Sequence, residues 1–277
     1  MAHETGDEMA IPDDIYVLGG RVRVNQPAGF GLRASMDSVL LAAACPACPG
    51  ARVLDLGCGA GVAGLCVRAR VPGIDLIGVD IEPALITLAQ QNAQASDPHN
   101  LPKFWVMDIR ARDFWACPPE DRVDHVVCNP PYLQPQAHSI SPDPVRARAL
   151  GHGAGQDDKE RGGENDLMAW VMAAHRALKP RGTLTMIHRA DHLDRVLAAF
   201  GPRFGDVDVI PLWPRQGTSA RRVIVRGVKD RRGPMTLHSG LVLHPDPGHE
   251  GTQNWTIDAA KILKDMGGLY VEAEESP

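Results

Sequence analysis

The sequence predicts an α/β fold: a mostly parallel, seven-stranded sheet with helices on both faces and a final antiparallel strand. Three observations predict it. From Val53 onward, short apolar runs alternate with helical patterns, the arrangement of βαβ units. A glycine-rich turn, Gly57-Cys58-Gly59-Ala60-Gly61, directly follows the first run. Each of the first four runs ends in a polar residue (Asp55, Asp80, Asp108, Asn129) where ligands bind in open α/β sheets.

Taken in order, residues 1–14 are acidic and polar, without the basic start and apolar stretch of a signal peptide, and read as a disordered N-terminus. Ile15–Asn25 reads as a hairpin around Leu18-Gly19-Gly20-Arg21, followed by a helix over about Asp37–Ala44; residues 15–50 form one N-terminal unit. The core, 51–232, opens with the strand Arg52–Leu56 and a helix from the glycine turn to about Arg70. Asp75–Val79 is the second strand. Pro83 suits the first turn of the next helix, Ala84–Ala95, because its missing N–H is not needed there. Lys103–Met107 and Val123–Cys128 are the third and fourth strands. Gln134 to Glu164 is rich in Pro, Gly, Ser and charge, and is long for an ordinary connection. A helix over Leu167–Leu178 is stopped by Lys179-Pro180-Arg181-Gly182. Thr183–Ile187 is the fifth strand, and Val207–Pro211 with Arg222–Val225 forms a closing antiparallel pair. The extension 233–277 carries the β-like run Leu241-Val242-Leu243 and a helix near Asp258–Asp265.

Length and composition fit this plan. The chain has 277 residues, 44% of them hydrophobic, enough for one large domain with a sizeable core. No apolar run approaches the ~20 residues that span a bilayer, so no membrane partner is expected. Six cysteines are present. Cys58, Cys66 and Cys128 fall in elements expected to be buried, where cysteine acts as a small apolar residue. Cys45-Pro46-Ala47-Cys48 has CxxC spacing but lacks a second pair or suitably spaced histidines, so no metal is expected. The formal net charge is −5, yet Arg203–Arg232 holds eight basic residues against three acids. A local basic face on an acidic protein suits a phosphate-bearing partner; a solvated strand edge would look similar.

The glycine turn lets the backbone bend sharply and approach a ligand closely, and the following helix points its free N–H groups at the turn. Glycines in this spacing also occur in dinucleotide enzymes. Here Asp55 precedes them at the strand end. A carboxylate there suits the ammonium of a bound amino acid and would repel a pyrophosphate. Asp80 is placed to accept both ribose hydroxyls of a nucleoside, with Ile81 packing on its base; Asp108 and Ile109 are placed to reach the base edge. A lone acid of this kind more often caps the next helix, but three at consecutive strand ends after a glycine turn favour a ligand.

Asn129-Pro130-Pro131-Tyr132 is the most specific feature. An amino nitrogen conjugated to a ring or carbonyl is a poor nucleophile because its lone pair is delocalised. The Asn129 side-chain oxygen and the Pro130 carbonyl form two acceptors for its hydrogens, favouring a more pyramidal nitrogen, and proline fixes their direction in advance. Pro131 and Tyr132 would contact the acceptor group. Tyr132 offers a face for stacking, worth ~1–3 kcal/mol for a nucleobase, which must first leave its helix.

Together, Val53-Leu-Asp-Leu-Gly-Cys-Gly-Ala-Gly61 and Asn129–Tyr132 resemble the Rossmann-like class I methyltransferases that act on amino groups: adenine N6, cytosine N4 or protein glutamine. The resemblance implies S-adenosyl-L-methionine as cofactor, bound through Asp55, Gly57, Gly59, Gly61, Asp80, Ile81, Asp108, Ile109 and Asn129. Gln26–Ala42 is similar to the segment ahead of the glycine turn in bacterial tRNA1(Val) adenine-N6-methyltransferases, where it closes over the cofactor with the acid matching Asp37 near the methionine end. The similarity continues through Leu178–Gly182, Ile187–Arg189 and Arg221–Val225. It implies a cytoplasmic enzyme acting on tRNA, with Arg33, Arg189, Arg221 and Arg222 as candidate RNA contacts. Protein glutamine N5-methyltransferases share the tetrapeptide but resemble a helical N-terminal domain joined to this core; too few residues precede Val53 for that domain. DNA adenine methyltransferases share it too, but no target-recognition domain is evident. A nicotinamide-dependent dehydrogenase is disfavoured by Asp55 and by Asn129–Tyr132.

Overall fold

Strands covered on both faces carry nearly unbroken apolar runs, and three such runs build the centre of this molecule. In the computed structural model, residues 14–25, 32–116, 121–131, 164–246 and 254–269 are described. β3 (Arg52–Leu56) lies between β4 (Asp75–Asp80) and β6 (Val123–Cys128), parallel to both. β5 (Lys103–Val106) continues the sheet beyond β4, and β7 (Leu178–Arg189) beyond β6, again in parallel. β9 (Arg222–Lys229) then enters antiparallel between β7 and β8 (Phe204–Trp213). These seven strands match the expectation, with the antiparallel pair closing one side. The expected count needs one correction: the tail adds two short strands, β10 (Thr236–Leu237) and β11 (Leu241–Val242), both parallel to β8, so the sheet has nine.

Helices cover both faces. α1 (Leu32–Ala44), α2 (Val62–Arg70) and α3 (Pro83–Ser96) pack one side around Leu40, Val53 and Val67. α4 (Glu164–Ala177) and α5 (Leu193–Phe200) pack the other around Leu54, Leu184 and Met186. Each such fully buried side chain contributes about 1.5–3 kcal/mol. A separate hairpin, β1 (Asp14–Val17) and β2 (Val22–Asn25), lies where Ile15–Asn25 predicts one.

The end of the helix before β7 differs from expectation. Lys179–Gly182 has the composition of a turn closing a helix at Leu178, but Leu178 already pairs with Val123 of β6. The turn chemistry is real: Arg181 has φ 64, and a side chain on Gly182 would collide with the Asp124 carbonyl. It forms an irregularity within the strand, since pairing resumes at His125 and Thr183. Lys179 Nζ reaches Asp124 Oδ1 at 2.7 Å across it. α5 was not anticipated, although Val196, Ala199 and Phe200 form its buried face.

The extension packs behind the first helical layer. α6 (Ile257–Lys264) starts at Thr256, whose Oγ1 accepts from the Ala259 N–H at 3.2 Å. Arg70 donates to the carbonyls of Ile262 and Gly267, both at 2.6 Å, and the Leu269 N–H donates to Ala43 O at 2.8 Å. Cationic groups at a helix C-terminus satisfy carbonyls that have no partner within the helix.

Lys229, 5% exposed, does the same for α4. Its Nζ donates to His175 O at 2.7 Å and Leu178 O at 2.8 Å. Lys229→Met keeps most of the stem and removes both hydrogen bonds. It is expected to lower unfolding free energy by about 1–3 kcal/mol in urea titrations; a variant as stable as wild type would contradict the capping role.

Candidate functional site

The order of the strands fixes where a ligand binds. The chain builds β3, β4 and β5 outward in one direction, then returns to place β6 and β7 on the other side of β3. At such a switch point the loops leaving adjacent strands diverge and open a crevice at their carboxyl ends. β3 and β6 flank it, with Leu56 paired to Cys128. The glycine turn and Asn129 therefore emerge side by side.

Gly57, Gly59 and Gly61 all adopt left-handed backbones. At Gly59, with φ 54, an added Cβ would meet nothing within 4 Å. The loop thus presents bare backbone to open space, as a cradle for a closely approaching ligand must. The loop is also tied down. Asp80 Oδ2 accepts from the Gly59 N–H at 2.9 Å and Oδ1 from the Glu82 N–H at 3.0 Å. Burial raises the Asp80 carboxyl above its ordinary range, and these N–H groups pull it back. The acid expected at a ribose therefore also holds the turn in shape. Ile81 beside it is 61% exposed, a free apolar face at the rim. Asp108 is exposed and accepts from the Arg110 N–H at 2.8 Å. Ile109 is half-buried and packs towards the second core.

Asp55 is bound tightly into the fold. It is 2% exposed. Its Oδ2 accepts from the Gly64 N–H, in the first turn of α2, at 2.7 Å. A Cβ on Gly64 would sit 3.0 Å from that oxygen and 2.9 Å from Leu76, so glycine alone allows the helix this close. Burial pushes the Asp55 carboxyl up to about 7. The group is a strut between strand and helix.

The tetrapeptide begins where expected. Asn129 is half-buried and Pro130 buried at the end of β6, and Pro131 is half-buried. Tyr132 lies outside the described residues, as do the segment 136–163 and the side chain of Arg33.

Part of the basic stretch is taken up by acidic partners or burial. Arg222 Nε donates to Asp37 Oδ2 at 2.9 Å, joining β9 to α1; Asp37 is 5% exposed. Arg226 pairs with Asp208 at 2.7 Å, Arg231 with Asp206 at 3.2 Å, and Lys229 is buried. Arg189 forks onto Asp191 of the adjoining turn. His188 is 3% exposed against His192, and burial holds its imidazole down to about 4, so it is neutral at physiological pH. Arg222 and Arg189 are thus paired with acids of the fold, and His188 is buried beside them. Arg221 is exposed.

Two residues without a sequence signal complete the surroundings. Trp170 of α4 lies against Gly57 where any Cβ would stand. Asn92 of α3, fully buried, donates from Nδ2 to Ala60 O of the glycine turn at 2.9 Å.

Residues 26–143 match the family model described as the methyltransferase small domain. The tRNA1(Val) (adenine(37)-N6)-methyltransferase of Aeromonas hydrophila is 30% identical over 220 residues, covering 75% of this chain and 83% of the relative. The chain belongs to that methyltransferase family. It is an S-adenosylmethionine-dependent N-methyltransferase. The release factor glutamine methyltransferase of Escherichia coli is also similar, 28% identical over 152 residues, covering 54% of this chain and 50% of that enzyme. The fold is shared with a predicted O-methyltransferase from Agrobacterium tumefaciens: TM-score 0.65 and 22% identity, covering 84% of this chain and 98% of that one. The crevice fits the cofactor: the open backbone at Gly59, the carboxylate of Asp80 and the uncovered Ile81 suit an amino-acid and nucleoside ligand.

The Asp55 strut has a pH signature. Its carboxyl titrates near 3.8 when unfolded and at about 7 when folded. Between those values the unfolded chain has released a proton that the folded chain retains, so stability falls as pH rises, then levels off. Asp55→Asn keeps an acceptor for Gly64 without the charge. Its stability relative to wild type is expected to grow by a few kcal/mol from pH 4 to pH 7 in cofactor-free urea unfolding. Parallel pH profiles for the two proteins would show that the carboxyl does not titrate there.

Proposed function

We propose that this enzyme transfers a methyl group to the exocyclic N6 of an adenine in cytoplasmic tRNA. One observation carries the reading: Asn129-Pro130, at the end of β6, emerges directly beside the glycine turn that follows β3. Acceptors for an amino group and a cradle for the methyl donor thereby share one crevice.

S-adenosylmethionine supplies an electrophilic methyl carbon when bound. Asp80 and the turn around Gly59 would hold it, and the exposed side chain of Ile81 would offer an apolar face to its base. The Asn129 side-chain oxygen and Pro130 carbonyl accept the two hydrogens of the adenine amino group and aim its lone pair at the crevice. Pro130 is buried just beyond the end of β6 and its ring fixes its own backbone angle, so the acceptors are aimed before reaction. Tyr132 stacks on the flipped base in this reading. Holding nitrogen and methyl carbon in contact supplies much of the remaining acceleration. Family membership supports tRNA as acceptor, and exposed Arg215 and Arg221 of the β8–β9 loop provide phosphate contacts near the ends of β7 and β9.

Asn129→Ala is expected to lower turnover at least ~100-fold, the scale for loss of one aimed polar group, while S-adenosylhomocysteine still binds in calorimetric titration. Turnover near that of wild type would exclude the mechanism. The acceptor is tested by incubating the enzyme with unmodified total tRNA and, separately, with release factor, then analysing nucleosides and peptides by mass spectrometry. N6-methyladenosine in the tRNA is the expected product. Methylglutamine in the release factor, with unmodified tRNA nucleosides, would assign the same crevice to an amide.

A further inference from the structure

Asn92 does more than fill the space behind the glycine turn. Besides its bond to Ala60 O, its Oδ1 accepts from the Asn25 N–H at 2.7 Å, and its Nδ2 donates to Asn25 O at 3.1 Å. One turn along α3, Ser96 Oγ accepts from the Arg23 N–H at 3.1 Å and donates to Arg23 O at 3.2 Å. Arg23 and Asn25 are alternate residues of β2, whose backbone groups point away from β1. Four helical residues rise ~6.0 Å and two strand residues ~6.8 Å, so the spacings nearly match. Two side chains of α3 thus serve the free edge of β2 as a neighbouring strand would.

The two contacts are not equivalent. The side-chain hydrogen bonds of Ser96 go to the hairpin. Asn92 touches the hairpin and the turn, and it is fully buried, so breaking either bond leaves a polar group without water. We infer that Asn92 is a positioning residue that couples the N-terminal hairpin to the cofactor cradle, so that occupancy of the cradle stiffens β2 and a loosened hairpin weakens cofactor binding. The inference rests on the glycine turn being the cofactor cradle. Coupling of this kind is reciprocal: each site shifts the other by the same factor.

The first test needs no variant. S-adenosylhomocysteine is expected to slow hydrogen exchange at the Arg23 and Asn25 amides at least about 3-fold in the wild-type protein; unchanged exchange at saturating ligand would overturn the coupling. The second compares variants. Asn92→Ala is expected to raise Kd for S-adenosylhomocysteine and KM for S-adenosylmethionine about 10-fold, with kcat within twofold of wild type, and to abolish ligand-dependent protection of β2. Ser96→Ala loosens β2 but keeps the Asn92–Ala60 bond, so it is expected to speed β2 exchange and to raise Kd only about 2-fold, well below the effect of Asn92→Ala. Equal losses of affinity in both variants, a fall in kcat alone, or wild-type affinity in Asn92→Ala would each refute the assignment. Failure of the wild-type protein to bind S-adenosylhomocysteine would instead count against the cradle itself.

Discussion

The N–H of Gly64 donating to the buried carboxyl of Asp55 is the contact on which the site depends. It brings α2 against β3 at a distance only a glycine permits. The chain must then cover the gap from strand end to helix start within five residues, which forces the left-handed path of the turn. That path leaves the Gly59 N–H facing Asp80, and the resulting bond fixes the turn to the end of the neighbouring strand. Helix dipole, bare backbone and carboxylate come to share one crevice because of this single close approach.

The sheet was legible because its central strands are covered on both sides and therefore apolar throughout. Val123–Cys128 and Arg52–Leu56 begin and end where their patterns do. Reading failed where local chemistry and long-range pairing disagree. Lys179-Pro180-Arg181-Gly182 has the composition of a turn and behaves as one locally, yet the strand pairs on both sides of it. The two tail strands are too short to show a period.

The site divided along similar lines. Glycines, strand-end acids and Asn129 were identifiable because their roles require a residue type at a defined place. Charge was misread because a sequence counts ionised groups but not their partners. Arg222, Arg226 and Arg231 look like a basic face until Asp37, Asp208 and Asp206, from 18 to 185 residues away in sequence, take them up. Asn92 and Trp170 belong to no motif. An asparagine in a helix and a tryptophan on a buried face are ordinary, and only the fold places them against Ala60 and Gly57.

The chain between Pro131 and α4 has both its ends secured. Pro130 is buried beside the crevice, and Trp170 of α4 rests on Gly57. In general, joining two fixed points by a chain twice as long costs only about 0.6 kcal/mol more. A change in the number of residues between these two anchors therefore carries a small entropic cost and need not disturb the contact of Trp170 with Gly57. The glycine turn is held from α4 by packing, so its shape is independent of the length of chain that leads there.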